Sequence, residues 1–162
     1  MSRTIGTKQT GETRSYNWVE HSIWTDRMLE ALAKGVKGDV WFSLIDKVYR
    51  PSTLHAAWQA VRRNRGSAGT DHESVEGFGH NLDENIAGLE EALRTGEYRP
   101  RPIKRVYIDE LGSKEKRPLG IPAVRDRVVQ TAMRLVIEPI FETRFRPQSY
   151  GFRPNRGSKD AL

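Results

Sequence analysis

The densest chemistry in this 162-residue sequence is cationic. Lys114, Lys116 and Arg117 stand beside Pro118 and Gly120, Arg125 and Arg127 follow within ten residues, and Arg153 and Arg156 come later among further prolines and glycines. A guanidinium fork grips phosphate through two parallel hydrogen bonds and a lysine supplies a movable point charge, so such a stretch suits a triphosphate or a nucleic-acid backbone. The residues alone leave open the other reading, a solvated basic hairpin. A second cationic cluster is Arg62, Arg63 and Arg65, where the alternative is a simple charged helix end.

Other chemistries find less support. Two-metal chemistry needs carboxylates gathered around cations about 4 Å apart, and the basic half of the chain offers no such group. Glu138 and Glu142 share a helix face but are expected at the surface, and Asp126 between Arg125 and Arg127 is expected to form ion pairs. His21, His55, His72 and His80 have no HExxH-like spacing, and there is neither a GxxxxGK[ST] phosphate loop nor a GxSxG elbow. With no cysteine, disulfides, thiolate zinc sites and cysteine nucleophiles are excluded.

Charge and hydropathy agree with a polyphosphate partner. Lys plus Arg number 27 against 21 acids, a net +6, with 36% hydrophobic and 30% charged residues. The excess is uneven: residues 1–97 carry 12 bases and 14 acids, residues 98–162 carry 15 and 7. A basic segment of this kind attracts phosphate by long-range steering and counterion release. Mean hydropathy is −0.68. No apolar run approaches the eighteen or so residues of a membrane span, and the first residues do not form a secretory signal, so a cytoplasmic protein without a membrane partner is expected. The length suits one domain with a real core.

The elements that must position these cations follow from periodicity. Residues 1–20 read as a disordered tail and residues 21–97 as helical. Trp24, Met28, Leu29 and Leu32 make one stripe up to Gly35, and Trp41, Leu44, Ile45 and Val48 make a second up to Pro51. Ser52 would cap a third helix carrying Leu54, Trp58 and Val61, and Leu82, Ile86, Leu89 and Leu93 make a fourth stripe ending at Gly96. Its acids fall on the opposite face. Ile103, Arg105 and Tyr107 alternate with Lys104, Val106 and Ile108, which predicts a strand; a turn at 109–115 and the segment 116–122 complete a hairpin. Val124 onward is helical until Pro139 breaks or kinks it, and Ser158 suits the cap of a further helix. The fold class is α+β. The tryptophans are expected as core anchors.

The wording of several segments adds a resemblance. Residues 116–145, KRPLGIPAVRDRVVQTAMRLVIEPIFETRF, with SYGFRPNR at 149–156, resemble the first two blocks of group II intron reverse transcriptases, the intron-encoded maturases. GSAGTD at 66–71 and GEYRPRPIKRV at 96–106 resemble the preceding blocks, so the likeness runs from about Trp24 to Leu162. It implies part of an RNA-directed DNA polymerase, a nucleotidyltransferase shaped as a right hand, that also assists splicing of its own intron RNA and belongs to a mobile element. The chain would correspond to the N-terminal extension and, over 98–162, the fingers, truncated before the palm. The family's YADD box is not in the sequence, so no catalytic residue is assigned, and Mg2+ would enter only with a palm.

By the same likeness Arg117 contacts the triphosphate of the incoming deoxynucleotide. Glu110 stands where the family has its triphosphate lysine, leaving Lys114 or Lys116 as substitutes. Gly120, Ile121 and Pro122 match the strip beside the templating base, Phe152 and Arg153 match the block leading to the palm, and Arg62, Arg63 and Arg65 lie where template or intron RNA is touched. Arg125 and Arg153 join this RNA-facing set. The implied partners are intron RNA or an RNA template with a DNA primer. Two other readings are a split polymerase completed by another chain and a functionless mobile-element remnant.

Overall fold

The structure, a computed structural model, describes residues 16–35, 40, 41, 43–110, 112 and 115–161. It is α+β: helices α1 (Asp26–Lys34), α2 (Leu44–Val48), α3 (Pro51–Asn64), α4 (Val75–His80) and α5 (Leu82–Thr95), then strands β1 (Lys104–Asp109) and β2 (Lys116–Ile121), then α6 (Val124–Glu142) and a closing 3₁₀ turn, Ser158–Ala161. The chain divides into two compact units, one holding the residues up to Lys47 with those from Arg134, the other Val48–Met133.

In the first unit Tyr16, Val19, Ile23 and Trp24 are buried with Leu29 and Leu32 of α1 and with Val136 and Pro139 of α6. Residues 1–15 of the expected tail lie outside the described residues, as do 36–39. Turns after Tyr16 are closed by Val19 N–H to Tyr16 O at 3.2 Å and by the Ile23 and Trp24 amides on Glu20 O. The Trp24 ring meets Trp41 edge-on at 5.6 Å. Helix α2 is a short piece of the expected second stripe.

Pro139 neither ends nor interrupts α6, which corrects the expected break. A proline inside a helix leaves the carbonyl four residues earlier without its donor. Here that carbonyl, of Leu135, accepts the Trp24 indole N–H at 3.1 Å.

The second unit packs α3 against α5. Leu54, Ala57, Trp58 and Val61 face inward from α3, Ile86 and Leu89 from α5. Trp58 and Phe78 of α4 stack with tilted rings 5.1 Å apart. Helix α3 begins at Pro51, with Arg50 rather than Ser52 in the cap position. Proline suits the first helical residue because its fixed φ is helical and its missing N–H would have no partner there. Among the described residues the two strands form an antiparallel pair in the register Lys104↔Ile121 to Asp109↔Lys116.

Candidate nucleic-acid interface

Four stretches of the second unit converge at the start of α6. In the 66–71 loop, Gly69 lies so close to that start that a Cβ on it would stand 2.7 Å from the Cα and N of Ala123. Only glycine permits this backbone-to-backbone approach. Arg127 reaches from the first turn of α6 to the same loop, donating to Ser67 O at 2.7 Å and Arg65 O at 3.3 Å. Thr70 Oγ1 donates to Pro102 O at 2.9 Å, and Asp71 pairs with the Arg101 guanidinium at 3.7 Å. The loop therefore ties the end of α3, the lead-in to β1 and the helix into one body.

Asp126 completes the junction. It is 2% exposed, and its carboxylate accepts the Tyr98 hydroxyl and, at 2.9 Å, the Arg101 backbone N–H. This corrects the expectation of ion pairs with Arg125 and Arg127: a buried carboxylate is better satisfied by short, directed donors from the segment that leads into β1. Its charge also sits in the first turn of α6, where the helix dipole favours an anion. Burial, then the bond to Asp126, pushes the Tyr98 hydroxyl well above its usual range. Arg125 lies over the Tyr98 ring, 5.4 Å from its centroid. Burial and the neighbouring Asp71 raise the Glu73 carboxyl, while Arg101 and Arg125 oppose the rise. Burial lowers the Arg127 guanidinium, with Asp71 opposing.

On this support the expected binding residues take distinct positions. Arg62, Arg63 and Arg65 are exposed at the end of α3. Basic groups there also complement the negative end of the helix dipole. Lys116 faces Asp109 across the hairpin, 3.5 Å away, with both side chains largely in solvent. Arg117 is exposed and opposes Ile108 on the other face. Gly120 and Ile121 end β2, Pro122 follows, and Arg125, in the first turn of α6, is half-buried. Lys114 lies outside the described residues. Among the described residues no three His, Asp or Glu side chains gather in a metal-binding group.

Arg153 belongs to the other unit, and its side chain is 6% exposed. Its Nε and Nη2 engage Glu142, the shortest contact being 2.5 Å, and its Nη1 donates to Arg146 O and Ser149 O at 2.9 and 2.7 Å. The Phe145 ring lies 5.2 Å from the guanidinium carbon. Glu142 is thus a partner in a buried pair, a correction to its expected surface role. Its neighbour Glu138 is also part-buried, and burial raises its carboxyl while Arg134 opposes. Arg156 is half-buried, donates to Pro147 O at 2.7 Å and lies over the Tyr150 ring, 5.4 Å from its centroid. Tyr98, Asp126 and Gly69 carry the junction without having been singled out as functional, and Arg127, counted among the phosphate-binding cations, serves the loop instead; only the glycine spacing of GSAGTD hinted at a tight approach.

The hairpin, the loop beneath it and the helix they share are the segments whose wording resembled intron-encoded proteins, and comparison with known proteins supports that class. No protein-family model matches the chain. The group II intron-encoded protein LtrA of Lactococcus lactis subsp. cremoris is 34% identical over 143 residues, 85% of this chain. Protein YkfC of Escherichia coli is 40% identical over 109 residues, 64% of this chain, and nuclear intron maturase 4, mitochondrial, of Arabidopsis thaliana is 31% identical over 120 residues, 74% of this chain. The chain is homologous to group II intron-encoded reverse transcriptase/maturases and matches part of such a protein. It spans 23% of the length of LtrA, 28% of YkfC and 14% of maturase 4. Among the described residues no helix is long and apolar enough to cross a membrane.

Proposed function

We propose that the chain is the RNA-gripping, fingers-type part of a group II intron reverse transcriptase and maturase, with 21–97 as its N-terminal extension and 98–162 as its fingers region. The observation that carries this reading is the convergence of the 66–71 loop, the 98–103 lead-in and the hairpin on the start of α6, which leaves Arg62, Arg63, Arg65, Lys116 and Arg117 exposed on one unit. Arg117 holds the triphosphate of an incoming deoxynucleotide, and Lys116, next to it in β2 with its side chain on the other face of the hairpin, adds a longer-range charge. The Lys116–Asp109 pair is solvent-exposed and therefore weak, so phosphate competes with it readily. Gly120, Ile121 and Pro122 border the templating base, and Arg125 backs them. The bound strand is intron RNA, or an RNA template with its DNA primer. Polymerisation draws on a palm outside these 162 residues, which supplies the ligands for Mg2+.

The test is RNA binding across a salt series. Affinity falls steeply as salt rises, and Arg117→Ala reduces the slope of log K against log salt by about 1 while leaving the fold intact. Salt-independent or absent binding overturns the reading. Primer extension with this chain, template RNA and magnesium yields no product; incorporation would show that the chain holds its own metal ligands.

A further inference from the structure

The hairpin has a second face that the role of Arg117 leaves unused. Arg105, Tyr107 and Asp109 occupy the exposed side of β1, and the register sets Gly120, Pro118 and Lys116 opposite them. Ile103 shares this side, since the Cβ that Gly120 lacks would meet its Cγ2 at 2.9 Å. The isoleucine thus lies across a bare stretch of β2. Ile103 is 60% and Tyr107 57% exposed, so a low apolar shelf faces solvent with Arg105 set between its two members.

Such a surface fits unpaired bases. An aromatic ring and an aliphatic side chain offer flat contact to a base of any identity, and an intervening guanidinium meets the phosphodiester. Arg105 and Lys116 lie on this face against one acid, Asp109, which Lys116 meets at 3.5 Å, so Arg105 is the cation the face leaves to a ligand. A second copy of the chain, docked two-fold on this face, would bring Arg105 toward its own counterpart. A polyanion with exposed rings has the complementary charge.

We propose that the Ile103, Arg105 and Tyr107 face, flattened by Gly120, is a stacking platform for unpaired RNA bases, separate from the phosphate grip of Arg117 on the opposite face. The proposal rests on the reading of the chain as RNA-binding. Its test is fluorescence anisotropy of the full chain with a labelled unpaired RNA of about twelve nucleotides, a length within the usual single-strand site sizes, and with a duplex of the same length.

Tyr107→Ala weakens binding to the unpaired strand about tenfold with an unchanged salt slope, because stacking releases no counterions. Tyr107→Phe binds like the parent, and duplex affinity does not change. Far-ultraviolet circular dichroism confirms that both variants fold, as expected for an exposed position. Unchanged affinity in Tyr107→Ala alongside a weakened Arg117→Ala overturns the platform and leaves RNA binding standing. Failure of the parent to bind any RNA removes both. Equal losses for strand and duplex overturn the stacking role, as does a dimer, seen by ultracentrifugation, that Tyr107→Ala dissolves.

Discussion

Trp24 donates its indole N–H to the Leu135 carbonyl, the acceptor that Pro139 cannot serve. The bond explains how a nineteen-residue helix passes through a buried proline. It also couples one turn of α6 to a residue 111 positions earlier in the sequence.

A double-mutant cycle measures that coupling. Trp24→Phe leaves the carbonyl without a donor and a small void, at a cost of about 2–3 kcal/mol. Pro139→Ala returns a backbone N–H to the helix, so the Trp24→Phe penalty in that background falls by about 1 kcal/mol. Denaturant unfolding of the four proteins reads the difference. Strictly additive penalties would mean that the indole bond does not stand in for the missing amide.

Asp126 is the acceptor at the junction of hairpin and helix, so Asp126→Ala strands both the Tyr98 hydroxyl and the Arg101 amide. The expected loss is about 3 kcal/mol, against about 1–2 for Tyr98→Phe. The second penalty depends on pH. The Tyr98 hydroxyl is held above its ordinary value of 10.0, so its contribution is complete below pH 10 and is lost as pH climbs through the higher folded value. Urea unfolding at rising pH should therefore show the parent converging on Tyr98→Phe above pH 10 and not below it.

Arg153 is predicted to govern stability and not the salt dependence of RNA binding. Arg153→Ala leaves the Glu142 carboxylate, 16% exposed, without its partner, a loss of about 3–5 kcal/mol. Arg153→Lys recovers little, because one ammonium cannot reach the carboxylate and two backbone carbonyls in the same planar geometry. Thermal melts give the first quantity, and titrations below the melting range give the salt slope. A changed slope with an unchanged melt would place Arg153 at the RNA instead.

The hairpin was legible in sequence because strict alternation over 103–108 and the turn at 109–115 left one simple pairing, and the structure pairs Lys104–Asp109 with Lys116–Ile121. Helix α5 was equally legible from its leucine and isoleucine stripe ending at Gly96. Helix α4 was not. Its six residues, VEGFGH, include two glycines and show no period; Ser74, accepting the Gly77 N–H at 2.9 Å, and Phe78 against Trp58 hold it in place. At the candidate interface the cations could be counted beforehand, but their duties could not. Composition treats Arg117, Arg127 and Arg153 alike. The fold leaves the first exposed, gives the second to a loop and closes the third around Glu142.

Gly69 and Ala123 touch main chain to main chain, so the loop and the helix are fitted without any side chain to adjust between them. Selection for a new ligand would therefore find these two places rigid and the outward cations pliable. Affinity could be retuned along 62–65 and 103–117 while the scaffold beneath stayed as it is.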